Sequence, residues 1–342
     1  MKYFSSLFLL LLLVVANWSC SRQSLPAVKS GYTTDGKYAT GPPEGASTQL
    51  GKVAQSIYRL NVIAFYESYS FNRSTHMTLE NFRKGNAAEY ATSHTISNQS
   101  VLGTASVIYV DNEKAVLLTC AHVVNFQDTL ITYFPDSSEI IRKVAIKLKQ
   151  NNFVMGLNNP SVKLIAGDNK HDIALLKATI QPAEDIRVMP FPVGKSSELD
   201  WGDFVYVMGF PKGYKMVESG IVSNPDKNNK RFFLTNAIFN RGISGGPVFA
   251  VRNGSHHLEW VGIASSSPVS NIFYLEPNID KTEAYSKSEP YRGELLINKK
   301  KMINYGVTFS VPMEEIIRFV TSIKPGLERQ GFATQQFFYH RE

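Results

Sequence analysis

The chain of 342 residues is long enough for one large or two small domains, and its 43% hydrophobic and 19% charged residues suit a folded globular protein. Lysine and arginine exceed aspartate and glutamate by only 36 − 29 = 7, and the basic residues are scattered, so no nucleic-acid partner is expected. With two cysteines, Cys20 and Cys120, the chain is not a disulfide-laced scaffold.

Met1-Lys2 and the apolar run Leu7–Ala16 read as a secretory signal, short of the ~20 residues that cross a bilayer as a helix. Cys20 after Ser19 looks like a bacterial lipoprotein cleavage site, giving a signal peptide over 1–19 and a lipid on Cys20. The expected location is then the bacterial cell envelope, anchored to a membrane. Cleavage after Ala16, giving a secreted soluble protein, is the rival reading. Residues 20–50, with Gly41-Pro42-Pro43 inside, read as a flexible tether.

Strand-forming sequence starts near Ile57, and the polar stretch 68–100 reads as a long loop. Strands are expected at 103–110, 114–119, 129–134, 140–149, 161–166 and 172–177. Within 143–149, Val144, Ile146 and Leu148 alternate with lysines, the period of a strand with one wet face. A second set is expected at 203–209, 215–223, 231–237, 247–252, 258–264 and 305–311. Between the last two, residues 268–301 read as a long charged loop, and Lys299-Lys300-Lys301 as its solvated part. Two groups of short strands with little helix between them predict an all-β fold of two packed six-stranded antiparallel barrels. The barrels fall at about 51–180 and 190–312 by these strand spans. Ile316, Ile317 and Val320 recur at helical spacing, which predicts a C-terminal helix over 313–323, stopped by Lys324-Pro325-Gly326. Residues 326–342 are left as a tail.

Three segments carry chemistry. Gly242-Ile243-Ser244-Gly245-Gly246-Pro247 sets a serine on a turn of glycines, where successive N–H groups can converge beside a hydroxyl. Leu117–Val124 runs an apolar strand into His122. His171-Asp172 leads into the apolar stretch Ile173–Leu176, with Asp168 as the fallback carboxylate. A serine becomes nucleophilic when a histidine takes its proton, and that histidine needs a carboxylate to orient it. No histidine spacing suggests a metal site, and no cofactor is expected. Cys120 reads as a small buried residue.

The order His122, Asp172, Ser244 resembles that of trypsin-like (chymotrypsin-clan) serine proteases, and the chain looks most like the HtrA/Deg branch. Thr235–Ser244, Val207–Pro211, Glu218–Ser223 and Gly306–Pro312 are similar to segments of that branch, within a resemblance spanning 52–323. It implies a protease domain over 51–325 with Ser244 as nucleophile, His122 as general base then acid, and Asp172 as its orienting carboxylate. The N–H groups of Gly242 and Ser244 would form the oxyanion hole. Ile243 replaces the aspartate of the digestive enzymes, implying competence without proteolytic activation. The primary pocket falls on Ile238, Ser265, Ser266 and Ser267, implying cleavage after small or medium apolar residues. After the helix no room is left for the PDZ domain of typical members. Expected partners are polypeptide substrates and, through Cys20, a membrane; the oligomeric state is left open. The alternative reading is a catalytically silent binding module on the cell envelope.

Overall fold

A computed structural model describes residues 36–338 apart from 86, 227–230, 254, 256, 278–287, 289 and 292. The expectations for residues 1–19, for Cys20 and for the tether over 20–35 lie outside the described residues.

The first sheet uses β1 (Ile57–Ser70), β2 (Ser93–Val110), β3 (Lys114–Thr119), β4 (Thr129–Tyr133), β5 (Ile141–Met155), β6 (Val162–Asp168) and β7 (Ile173–Thr179). Their order is β4-β5-β1-β2-β3-β7-β6, and every pairing is antiparallel. In β1 the inward residues Leu60, Val62, Ala64, Tyr66 and Ser68 are buried while their neighbours are half-exposed, the alternation that a pleated strand imposes. A bridge between Phe153 and Ser161, with the Val154 N–H donating to Pro160 O at 2.7 Å, brings β6 back to β5. Six strands thus curl round one core, and β4 takes the other half of the same β5 edge.

The second barrel is closed, in the order β10-β15-β12-β11-β8-β9. Its strands are β8 (Phe204–Gly209), β9 (Met216–Asn224), β10 (Phe233–Thr235), β11 (Pro247–Val251), β12 (Leu258–Ser266) and β15 (Thr308–Pro312). Between the last two, β13 (Val269–Pro277) and β14 (Leu295–Ile303) pair only with each other. This is the two-barrel arrangement that the strand pattern predicted.

Among the described residues, five α-helices accompany the strands: α1 (Ala46–Gln55), α2 (Leu79–Arg83), α3 (Ala87–Tyr90), α4 (Ala121–Val124) and α5 (Met313–Arg329). Glu314 and Glu315 in the first turn of α5 and Arg329 in its last match the helix dipole. Its buried face, Ile316, Phe319, Val320 and Leu327, joins the largest core cluster, to which both barrels contribute. Each such side chain is worth roughly 1.5–3 kcal/mol of burial. Among the described residues, no helix is long and apolar enough to cross a membrane.

Five expectations are corrected. The tether does not extend to 50, because Tyr38 is buried and α1 begins at Ala46. The loop at 68–100 shrinks to 71–92, since β1 and β2 continue as a long antiparallel pair through Ser70 and Ser93. The residues 93–100 are exposed on both faces, so no alternation marked them as strand. The last helix passes through Pro325 to Arg329, held by buried Leu327, and the tail packs Phe332, Phe337 and Phe338 into the core. Parts of 268–301 are the ribbon β13–β14.

Candidate active site

β3 ends at Thr119, and the single-turn α4 follows Cys120. Ala121, Val123 and Val124 are buried by the apolar core, which leaves His122 as the residue of that turn facing outward. Asp172 lies just ahead of β7 with φ 59°, a left-handed conformation that short polar aspartate tolerates better than most residues. The turn before it is pinned by Asp168, whose carboxylate accepts from the Lys170 and His171 N–H groups and pairs with His171 Nδ1 at 2.6 Å. Asp168 and His171 are therefore used by the turn, and the carboxylate left facing His122 is Asp172.

Asp172 Oδ1 accepts the His122 backbone N–H at 2.9 Å, and Oδ2 lies 2.8 Å from His122 Nδ1. A carboxylate only accepts, so Nδ1 carries the proton and Nε2 is left as an acceptor. Nε2 lies 3.1 Å from Ser244 Oγ. The Ser244 hydroxyl also lies 2.9 Å from the Ser265 carbonyl, so its one proton has two acceptors in reach. His122, Asp172 and Ser244, far apart in sequence, are brought together in one hydrogen-bonded line.

Ser265 adds a contact that sequence reasoning missed. Its hydroxyl donates to Asp172 Oδ2 at 2.5 Å, so the side chain holds the carboxylate. The register between β12 and β15 shifts between Ala264 and Ser266, which leaves Ser265 as the bulged residue. Bulges re-aim a side chain in this way, and no local sequence signal announces one. Burial pushes the Asp172 carboxyl up, but the bond from His122, its charge and the Ser265 bond outweigh it, and the net shift is below the ordinary value.

The serine turn is shaped by glycine. A Cβ on Gly242, at φ 108°, would lie 2.1 Å from Phe210 O, and one on Gly245, at φ 83°, 2.2 Å from Thr104 O. The Lys212 N–H holds the Arg241 carbonyl at 2.8 Å, so the trans peptide turns the Gly242 N–H the opposite way. Among the described residues, the N–H groups of Gly242 and Ser244 meet no protein acceptor. Ile243 is buried in the second barrel, with Val205, Val207 and Val248 in the same cluster.

Thr104 of β2 ties this turn to the first barrel. Its N–H donates to Ser244 O at 2.7 Å and its hydroxyl to Gly242 O at 2.7 Å. The same hydroxyl accepts the Phe210 N–H at 3.1 Å. No motif pointed to this residue.

The expected pocket is assembled only in part. Ile238 is 49% exposed, so it is not an enclosed floor, and Ser266 and Ser267 are half-buried. The Ser267 hydroxyl contacts the carbonyls of Asn304 and Val307 at 2.8 Å. Cys120 is fully buried, with its thiol bonded to Ala264 O at 3.4 Å, and burial pushes its pKa up. Cys120, His122 and Asp172 lie close enough together to hold a metal ion, but each has the protein partner just described.

Residues 103–263 match the family described as a trypsin-like peptidase domain. Among relatives, "Probable periplasmic serine endoprotease DegP-like" of Hahella chejuensis is 32% identical over 163 residues, covering 46% of this chain and 28% of that protein. "Serine protease HTR4" of Bos taurus is 40% identical over 145 residues, covering 39% and 28%. The matched stretch thus spans little more than a quarter of the length of these curated relatives. A solved structure, "HtrA-type protease AlgW with tripeptide", aligns with 80% of this chain and 62% of its own at a TM-score of 0.40 and 18% identity. Over residues 103–263 the chain carries a trypsin-like peptidase domain akin to those of the HtrA/Deg-type serine proteases.

Proposed function

We propose that this chain is a serine endopeptidase hydrolysing peptide bonds in extended or unfolded polypeptide. The observation that carries the reading is the unbroken hydrogen-bonded line from Asp172 through His122 to Ser244. In this mechanism Ser244 Oγ attacks the scissile carbonyl carbon while its proton passes to His122 Nε2. Asp172 holds the imidazolium that forms. The oxygen of the tetrahedral intermediate accepts from the Gly242 and Ser244 N–H groups, a donor of that kind being worth roughly 10²–10³ in rate. Nε2 then gives its proton to the leaving amine, and the acyl group stays on Oγ. Water enters by the same route and releases the acid.

The relatives' names support the reaction class, and one of them says periplasmic, in keeping with export of this chain. In the same reading residues 1–19 are a signal peptide, Cys20 carries lipid, and the residues up to about 35 are the leash to a membrane. Ile238, Ser265, Ser266 and Ser267 bring no carboxylate to the primary pocket, so cleavage follows small or medium apolar residues. Peptides varying only at the scissile residue test this, and a preference for arginine overturns it.

The test of the activity is labelling by a fluorophosphonate, together with casein turnover, in the native chain and in Ser244→Ala. Labelling and turnover should both disappear in the variant, with turnover falling on the order of 10⁶-fold. A folded native chain that neither labels nor cleaves is instead a binding module.

A further inference from the structure

We propose that the free edge of β2 is a binding strand for the part of the substrate that follows the scissile bond, accepting it by β-addition over residues 94–102. The proposal rests on the endopeptidase reading above and goes beyond it by assigning a surface outside the catalytic line.

β2 pairs with β1 along its whole length, from Ser93–Ser70 to Ser106–Ile57, without a register break. On its other side it meets β3 only from Ser106 onward. Among the described residues, nothing pairs with that side of 93–102. Thr104 fixes which main-chain groups face the open side. Its N–H reaches Ser244 O and its carbonyl accepts the Thr119 hydroxyl, both away from β1. Main-chain direction alternates along an antiparallel strand, so Leu102, Ser100, Asn98, Ile96 and His94 turn their N–H and C=O groups to the same open side. Val107, one of the odd-numbered set, donates instead to Ser56, which directly precedes β1.

Proteins normally protect such an edge with lysine, proline, a bulge or a covering element. Residues 93–103, Ser-His-Thr-Ile-Ser-Asn-Gln-Ser-Val-Leu-Gly, contain no proline and no lysine, arginine, aspartate or glutamate. Residues 93–100 are all exposed. The edge is kept open, and it leads directly to the catalytic turn, because Thr104 itself bonds Ser244 and Gly242.

The neighbouring face gives the chemistry of the occupant. Ile63, Phe65 and Tyr69 of β1 lie opposite Ser100, Asn98 and His94 and are only half-buried, and Ile96 is 68% exposed. The same face carries Glu67, opposite Ile96 and paired with His94 at 2.8 Å, so it suits an extended segment with apolar side chains at alternate positions and no acidic side chain beside Glu67. Main-chain bonds supply affinity in this mode and alternate side chains supply preference.

The experiment compares two peptides with the same residues before the cleavage point, one followed by two residues and one by ten alternating apolar and polar residues. Because the Asn98 and Ser100 N–H groups face outward, Asn98→Pro and Ser100→Pro remove edge donors without removing a bond to β1. In the native chain kcat/KM should be about tenfold or more higher for the long peptide, the worth of one or two net hydrogen bonds. Both proline variants should lose that gain and keep the rate on the short peptide. N-methylation of alternate amides after the cleavage point should abolish the gain on the native chain, a readout that needs no variant to fold. Anisotropy of the labelled ten-residue segment on Ser244→Ala reads the edge even if the chain hydrolyses nothing, so failure of the edge and failure of the endopeptidase reading are told apart. Equal rates on the two peptides with no segment binding overturn the proposal. So does a dimer that the proline variants dissociate without any effect of peptide length, because the edge then serves a second copy of the chain.

Discussion

Thr104→Val tests whether the serine turn is held in place from the opposite barrel. The substitution keeps the shape of a fully buried side chain and deletes one hydroxyl. That hydroxyl serves two groups, the Gly242 carbonyl at 2.7 Å and the Phe210 N–H at 3.1 Å, and both would be left buried without it. Each orphaned group costs about 1–3 kcal/mol, so the loss should be about 2–6 kcal/mol of a total stability of about 5–15 kcal/mol. Catalysis should suffer as well, because Gly242 and Ser244 sit two residues apart on the same turn. A displacement of about 1 Å there costs up to ~10² in rate. Urea unfolding followed by tryptophan fluorescence reads the first effect, and turnover of a short peptide reads the second. Thr104→Ser, which keeps the hydroxyl, should recover most of both. A valine variant within about 0.5 kcal/mol of native stability and equally active would refute the idea that this bond pair positions the turn.

Asp172→Asn should preserve the fold yet lower kcat by ~10⁴, by presenting His122 with the wrong tautomer; peptide turnover near neutral pH checks it. The folded-state pKa of Asp172 lies below its ordinary value, so its share of stability is complete above about pH 4 and is lost as the pH falls through the folded value. The stability difference between native chain and Asp172→Asn, from urea midpoints, should therefore shrink on acidification below pH 4. Cys120 should resist a thiol reagent in the native chain and react at once in denaturant, since it is buried and its thiol pKa is raised. Fast native labelling would contradict the burial.

The line from Asp172 through His122 to Ser244 was legible because each member sits where the local pattern changes. His122 follows an apolar strand, Asp172 precedes one, and Ser244 interrupts a glycine turn. What could not be read were the contacts made across the fold. Ser265 reaches Asp172 through a bulge in β12, a matter of register between strands that lie far apart in sequence. Thr104 looks like any small residue of a strand until the second barrel is set against it. The arm of β1 and β2 was hidden for another reason: with both faces of 93–100 in water, selection for alternating polarity is absent there. Pro325 misled in the opposite direction, since the burial of Leu327 outweighs the bond the proline removes.

Tyr38 has a mechanical consequence. Ahead of α1, the chain is laid into the second barrel: the Ala39 N–H donates to Val251 O at 2.7 Å, the Phe204 N–H to Ala39 O at 2.8 Å, and the Asn253 N–H to Lys37 O at 2.8 Å. Tyr38 is gripped by Glu259 at 2.8 Å with the Arg252 guanidinium stacked 4.3 Å over its ring, and burial with Glu259's charge holds the phenol far above its ordinary pKa. A pull applied at Gly36 would thus reach β8 and β11 of the second barrel first, through these main-chain bonds. Because β11 begins at Pro247, three residues after Ser244, that load would fall on the barrel that carries the alcohol before it met the strand that leads to the imidazole.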